Sequence, residues 1–391
     1  MSGGVTAPAG FRAAGVAAGL KARGGLDLAL VVNDGPGEAA AGVFTTNRVK
    51  AAPVLWSQQV LRGGAVRAVV LNSGGANACT GPAGFQDTHA TAEHVAETLG
   101  GIGAGEVAVC STGLIGERLP MPKLLAGVAA AATALSRDGG PAAAEAILTT
   151  DTRPKTTSAT AVGRGGQTFT VGGMAKGAGM LAPSLATMLV VLTTDAVADP
   201  AALDAALREA VRTSFERIDA DGCLSTNDTV LLLASGASGT EPTADRLTDA
   251  VRVACDELAW QLIADAEGAT KQVAIEVSGA ASEDDAVEVA RAVARNNLVK
   301  TALFGNDPNW GRILAAVGTT TAAFEPDQLD VAINGVWVCR AGDAAADPST
   351  VDLKDRDVAI QIALHAGEAS ATVHTTDLSH DYVHINSAYP T

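Results

Sequence analysis

Thr187 stands between a glycine-rich stretch, MAKGAGMLAPSLAT (174–187), and an apolar run, MLVVLTTDA, that reads as a buried strand. An internal threonine hydroxyl is a poor nucleophile, because the chain supplies no base beside it. At a new N-terminus the same residue carries its own base, an α-amine that titrates at roughly 7.7–8. The residues before it suit the making of such a terminus. Gly177 and Gly179 permit φ values that other residues avoid, and Pro183 fixes another φ nearby. A constrained peptide beside a hydroxyl can undergo an N-to-O acyl shift and hydrolyse, which would break the Ala186–Thr187 bond. A glycine-rich loop feeding a strand accounts for the same residues without chemistry. Local pattern leaves both readings open.

Glu267 is the second candidate. It stands at the C-terminal end of a long helical pattern, where the macrodipole disfavours a carboxylate. A surface glutamate there costs only a few tenths of a kcal/mol, so the position is suggestive and no more. Other familiar patterns fail. GGIGAG (100–105) and GMAKGAG (173–179) match neither a P-loop nor a dinucleotide-binding turn and read as tight turns. GASG around Ser238 misses the nucleophile-elbow spacing by one residue. His374, His380 and His384 are close in sequence but lack a matching cysteine or acidic set, so no metal is expected.

The elements that must position these residues alternate between strand and helix. RAVVLNSG (67–74) and EVAVCSTG (106–113) are short β-rich runs, each ending in small polar residues and a glycine. Both deliver hydroxyls and backbone N–H groups at a strand-to-turn junction. DTHATAEHVAETLGG (87–101) reads as a helix with Asp87 as N-cap. DPAALDAALREAVRTSF (199–215) has Asp199 at the N-cap, Pro200 at the first helical position, and Leu203, Leu207, Val211 and Phe215 on one face. The pattern repeats over 243–268 through Leu247, Val251, Cys255, Leu258 and Leu262, with Gly268 as its stop. KQVAIEVSG then alternates like a strand, and Ser282 opens a further helix with Asp285 in capping-box position. Strand-like runs (LDVAINGVWVC, DVAIQIAL, ASATVHTT) fill the last hundred residues. These patterns indicate an α/β body over 1–280 and a smaller C-terminal α+β domain over 281–391.

The chain has 391 residues and a formal net charge of −16. With aromatic residues at 3%, it offers neither a basic groove nor stacking platforms for nucleic acid. Five cysteines, odd in number and without C-x-x-C spacing, suit a reducing compartment. The apolar stretch AAGVAAGL is flanked by Arg12, Lys21 and Arg23 and is followed by no cleavage site in register, so no signal peptide is expected. The longest small-apolar run, AGVAAAATAL (126–135), is too short to span a bilayer. A cytoplasmic protein without a membrane segment is the expectation.

A resemblance then separates the readings. KGAGMLAPSLATML (176–189) resembles the autocleavage site of the ornithine acetyltransferases, the bifunctional enzymes of arginine biosynthesis. VFTTNRVKAAPV (43–54), LNSGGANACTG (71–81), CSTGLIG (110–116), TTDTRPK (149–155), STNDTVLL (225–232), DAEGATK (265–271), LVKTALFGNDPNWGR (298–312) and NSAYPT (386–391) look like the family's blocks in the family's order. The resemblance implies an α/β (α+β) fold of two mixed sheets sandwiched between helix layers, as in the self-cleaving aminopeptidases, with a smaller C-terminal domain. It implies cleavage between Ala186 and Thr187 into an α fragment (1–186) and a β fragment (187–391), assembled as α2β2. The implied reaction passes acetyl from N2-acetylornithine to glutamate through acetyl-Thr187, releasing ornithine. Acetyl-CoA as a further donor is left open, and no other cofactor is implied. Thr112 and Gly113 correspond to the oxyanion hole. Thr152, Lys176, Thr187, Glu267, Asn386 and Thr391 correspond to substrate contacts.

Two departures from the family pattern bear on loop packing. Gly75 stands where Asn is expected, and Cys223-Leu224 where Asp-Thr is more usual. Two rivals stay in view. One is a self-processing aminopeptidase or amidase of the same fold, with water as acceptor. The other is a non-catalytic small-molecule binding protein, for which no cleavage would occur.

Overall fold

The computed structural model describes residues 3–181 and 188–388. In chain order it runs β1 (Phe11–Val16), β2 (Leu28–Asn33), β3 (Ala40–Phe44), α1 (Ala52–Val60), β4 (Ala68–Ser73), α2 (Gly81–Leu99), β5 (Val107–Thr112), α3 (Met121–Ala134), α4 (Gly140–Ala146), β6 (Lys155–Val162), β7 (Thr168–Lys176) and β8 (Leu189–Thr194). It continues as α5 (Pro200–Thr213), β9 (Thr229–Ala234), α6 (Ala244–Ala264), β10 (Gln272–Ala280), α7 (Glu283–Ala294), α8 (Asn297–Phe304), α9 (Trp310–Val317), β11 (Asp330–Ile333), β12 (Val336–Arg340), β13 (Asp343–Ala344), β14 (Asp357–Ala363), β15 (Ala369–Thr376) and α10 (His380–Ala388).

The first sheet has the order β1-β2-β4-β5, with β4 and β5 parallel and the rest antiparallel. The second has the order β3-β9-β8-β7-β6, with β8 and β9 its parallel pair. Side-chain alternation explains why the two stack. In β8, Leu189 and Val191 join the apolar cluster of the first sheet, while Val190 and Leu192 join a second cluster with Leu207 and Leu258 of α5 and α6. Leu231 and Leu233 of β9 likewise face the first cluster, and Val230 and Leu232 the second. A strand covered on both faces reads as an unbroken apolar run. That is why LVVLTT and TVLLLA carry no alternation. Helices α2 and α3 pack on the first sheet and α5 and α6 on the second, so two mixed sheets lie between helix layers.

The third sheet, β13-β12-β11-β14-β10-β15, carries α7 on one face. Val289 and Val293 meet Val273, Ile275 and Ile360 there. Its other face is wet, and β14 alternates buried Val358, Ile360 and Ile362 with exposed Asp357 and Ala359. Strand β10 is interior to this sheet, parallel to β14 and antiparallel to β15. The third sheet therefore includes Gln272–Ala280. Which sheet an alternating strand joins depends on its partners, and those lie ninety residues further on.

Capping follows the sequence at Asp199 and Ser282, which accept the N–H groups of Ala202 (2.8 Å) and Asp285 (3.1 Å), and Thr243 caps α6 by accepting that of Arg246 (3.3 Å). Three local expectations change. Asp87 is not an N-cap: α2 begins at Gly81, and Asp87 is a buried mid-helix carboxylate held by Arg118 through bonds of 2.6 and 2.9 Å. LDVAINGVWVC is not one strand. Asn334 and Gly335 both have positive φ and fold it into the β11–β12 hairpin. Glu267 is not on the helix, because α6 stops at Ala264 and Asp265 turns away into a buried ion pair. Among the described residues no helix is long and apolar enough to cross a membrane, and all five cysteines are free thiols.

The double-sided burial of β9 is testable. Leu232→Ala should cost about 2–5 kcal/mol, seen as a lower denaturation midpoint. Leu298→Ala, at a residue 60% exposed, should cost less than about 0.5 kcal/mol in the same measurement.

Candidate active site

The ends of four strands meet at one edge of the sandwich. Strand β7 ends at Lys176, whose register partner is Leu189 at the start of β8; Leu189 in turn lies opposite Thr229 at the start of β9. From the other sheet comes Thr112, the last residue of β5. Lys176 Nζ donates to Thr112 Oγ1 at 3.2 Å and to Thr149 Oγ1 at 2.8 Å, joining the two sheets. Asn227 holds the same place from the segment before β9, its Nδ2 donating to Ser111 O at 2.8 Å and Ala76 O at 2.6 Å. Gly113 follows Thr112 with a φ of +132°, and a Cβ there would lie 2.5 Å from Gly75 N. Gly75 N itself donates to Thr112 O at 3.1 Å. Only glycine fits such an approach. The unexpected Gly75 also has a packing consequence, since a Cβ on it would meet Leu119 Cδ2 at 2.8 Å.

Beneath this edge lies a cluster of buried charge. Lys155, at the start of β6, is 0% exposed and bonds to Asp151 Oδ1 at 2.6 Å and Asp265 Oδ2 at 2.7 Å. Asp151 also accepts Thr149 N at 3.0 Å and Gly177 N at 2.7 Å, so it holds the first residue after β7. Burial pushes the Asp151 carboxyl up, but Lys176, Lys155 and the Thr149 N–H outweigh it and hold the group at about 2. Burial lowers the Lys176 ammonium, opposed chiefly by Asp151. Thr152 is exposed; its N–H donates to Asp265 at 3.0 Å and its hydroxyl donates to the same carboxylate.

On the far side of the glycine loop is Glu267. Its N–H donates to Ala178 O at 2.9 Å, and a Cβ on Gly179 would sit 2.6–2.7 Å from its carboxylate atoms. Glycine at 179 lets the loop pass directly over that carboxylate. Asn386, exposed on α10, donates from Nδ2 to Glu267 Oε2 at 2.9 Å. A fully buried carboxyl completes the site. Asp228 Oδ1 accepts Met188 N at 3.1 Å, while Oδ2 has no hydrogen-bond partner among the described residues. Burial drives this carboxyl well above the usual range, against the Met188 N–H, Ser225 and Lys176.

The structure thus brings Thr112, Gly113 and Lys176 together at one point and Glu267 and Asn386 at another, joined through Gly177–Gly179. Among the described residues Thr152 is tied in through Asp265. Ala186, Thr187 and Thr391 lie outside the described residues. His374 packs edge-on against Trp260 and His380 against Phe304. Sequence reasoning missed Asp151, Lys155, Asp265 and Asp228, although all four lie inside the quoted blocks TTDTRPK, DAEGATK and STNDTVLL. Their signal was the mixing of charges into short blocks near strand ends, which gains meaning only when the blocks touch.

Asp265→Ala, which leaves Lys155 with one carboxylate in place of two, should destabilise the fold by about 3–5 kcal/mol in denaturant titration. The depressed Asp151 carboxyl contributes stability above its ordinary value of 3.8 and loses it as pH falls from there through about 2. Asp151→Asn should accordingly flatten the decline in stability across that window.

Comparison with known proteins agrees over nearly the whole chain. The profile of the ArgJ family matches residues 12–391. The arginine biosynthesis bifunctional protein ArgJ of Streptomyces avermitilis is 66% identical over 385 residues, covering 98% of this chain and 99% of that protein. The Thermobifida fusca protein of the same name is 64% identical over 387 residues, covering 99% and 100%. Among solved structures, ornithine acetyltransferase from Mycobacterium tuberculosis in complex with ornithine is 66% identical, covering 47% of this chain and 96% of that one with a TM-score of 0.43. The chain therefore belongs to the ArgJ family and is an acyltransferase of arginine biosynthesis.

Proposed function

We propose that this enzyme carries acetyl from N2-acetylornithine to glutamate by a two-step exchange on Thr187, after cutting itself between Ala186 and Thr187. Strand β7 would then belong to the fragment 1–186 and β8 to the fragment 187–391. Their pairing from Lys176–Leu189 to Val171–Thr194, with β3 against β9, supports fragments that stay together. Assembly as α2β2 and a cytoplasmic location complete the proposal.

In the first half-reaction Thr187 Oγ attacks the acetyl carbonyl and gives its proton to its own α-amine. Thr112 and Gly113 receive the oxyanion. The observation that carries this reading is the Lys176–Thr112 bond. A hydroxyl whose oxygen accepts from an ammonium still has its single proton to donate. The intermediate collapses when the carbon–nitrogen bond breaks, and the leaving amine of ornithine takes the proton from the Thr187 ammonium. Glutamate then attacks acetyl-Thr187, giving N-acetylglutamate and the free hydroxyl. Lys176 is assigned to the substrate carboxylate, Glu267 to an ammonium group or a proton in transit, and Thr152, Asn386 and Thr391 to further substrate contacts. Acetyl-CoA would enter at the first step as an alternative donor.

Purified wild-type protein should give two bands on a denaturing gel, the second beginning at Thr187. Thr187→Ala should give one band of 39.1 kDa and no transfer of labelled acetyl from N2-acetylornithine to glutamate. An uncut chain with full activity would overturn the mechanism. Thr112→Val should lower kcat by about 10²–10³-fold. Offering acetyl-CoA in place of N2-acetylornithine reads out the second donor directly.

A further inference from the structure

We propose that Lys300 is a positioning residue for acetyl transfer, a clamp in the C-terminal region that seats both the glycine loop and the last helix at the Glu267 side of the site. The inference rests on the reading of that edge as the place of transfer, and it holds whichever residue is the nucleophile. Lys300 lies in α8 and is 5% exposed. Its ammonium donates to four oxygens on two separate segments. One is Ala220 O at 2.8 Å, in the chain before β9. The others are Thr375 Oγ1 at 3.2 Å, Thr376 Oγ1 at 3.4 Å and Thr376 O, at the end of β15. Three protons shared among four protein acceptors leave none for a ligand, so this group holds protein to protein.

Both segments lead to the site. Ala220 N donates to Leu181 O at 2.5 Å, and the Asp221 carboxylate takes the N–H groups of Met180 and Leu181. The loop that leaves β7 is thereby gripped again, beyond the bonds at Gly177 and Ala178. Met180 depends on that grip, because its φ of +51° is a conformation that a side chain disfavours. From Thr376 the other segment runs through Asp377 and Leu378 into α10. Asp377 accepts Thr270 N and Lys271 N, each at 2.9 Å, and Leu378 N donates to the carbonyl of Lys300 itself at 3.3 Å. Ser379 Oγ donates to Gly268 O at 2.5 Å, and further along α10 Asn386 reaches Glu267 Oε2. The Glu267 carboxylate is thus met by Gly179 from one segment and Asn386 from the other, and one buried ammonium ties the roots of both together. A shift of about 1 Å at such a place can cost about 10²-fold in rate.

Around the ammonium stand Asp219 and Asp221 of the segment before β9, Arg295 after α7, Asp377 before α10, and Tyr382 of α10. Burial outweighs the three carboxylates and holds Lys300 at about 8, below its ordinary 10.5. The clamp therefore has its full set of donors below about 8 and loses a proton above it. In the same window the unfolded chain binds more protons than the folded one, so on this account stability rises with pH from about 8 to 10.5. Transfer should slow there although the fold gains. That opposition separates positioning from support of the fold.

The test is Lys300→Met in the full chain, which keeps an unbranched stem and removes the charge with its donors. The kcat for transfer from N2-acetylornithine to glutamate should fall about ten- to a hundredfold. Wild-type kcat should decline as pH rises through about 8, and the variant, at its lower level, should show no such decline. Lys300→Arg stays charged throughout and should recover part of the rate, also without the decline. A purely structural role would lower kcat and the denaturation midpoint together and leave the pH profile unmoved. A folded Lys300→Met enzyme with wild-type kcat, or with the alkaline decline intact, would overturn the inference. If neither variant folds, the wild-type profile decides, and a kcat that stays flat through that range rejects the clamp. A wild type that moves no acetyl between the two substrates would sink the reading of the reaction, and hydrogen exchange then judges this inference separately. Amides of Met180, Leu181 and α10 should exchange at least about tenfold faster in Lys300→Met than in wild type, and equal rates would refute it.

Discussion

Two lysine ammonium groups, on Lys155 and Lys176, are held almost wholly out of water at the edge where the two central sheets meet. Taking such a charge from water costs several kcal/mol unless anions and oriented hydroxyls replace the solvent. The replacements come from every part of the body: Asp151 and Thr149 from the loop after α4, Asp265 from the end of α6, and Thr112 from the end of β5. None of these segments can move independently without leaving a buried charge exposed to apolar surroundings. Cost and consequence are thus linked. The same desolvation that threatens the fold fixes the geometry of the site.

That constraint reaches the glycine loop through main-chain atoms. Asp151 takes Gly177 N, and Glu267 N reaches Ala178 O, so the chain leaving β7 is gripped on both sides within three residues. Gly179 lets it pass over the Glu267 carboxylate, and Gly113 lets the turn after β5 lie against Gly74 and Gly75. The oxyanion position and the loop before β8 are parts of one framework. Asp228 stands just outside the paired charges, with one oxygen bonded and the other unpaired. Among the described residues Arg217, Gln272, Arg291 and His374 each also carry a buried polar atom without a hydrogen-bond partner.

Much of the frame was legible from residue patterns, because its signals are local. Asp199–Pro200 marked a helix start, the spacing of Leu203, Leu207 and Val211 marked its buried face, and the apolar run at 189–194 marked a buried strand. Local signals also misled. Asp87 resembles a cap, but Pro82 starts the helix earlier. Glu267 resembles a residue at odds with a helix dipole, but Asp265 leaves the helix first to meet Lys155 and Thr152. In both cases a long-range ion pair took a carboxylate that local chemistry would have used otherwise.

By itself the sequence determined many of the elements, the family and the residues that resemble its site, since each of these is written in short blocks whose order and periodicity need no partner. Only the tertiary structure decided which blocks touch. It set Lys176 against Thr112 across two sheets, tied Asn386 of the last helix to Glu267, gave β10 to the third sheet, and left one oxygen of Asp228 unanswered. The reason is physical. Propensity and capping act over a few residues, whereas the cost of a buried charge is settled by whichever distant group arrives to meet it.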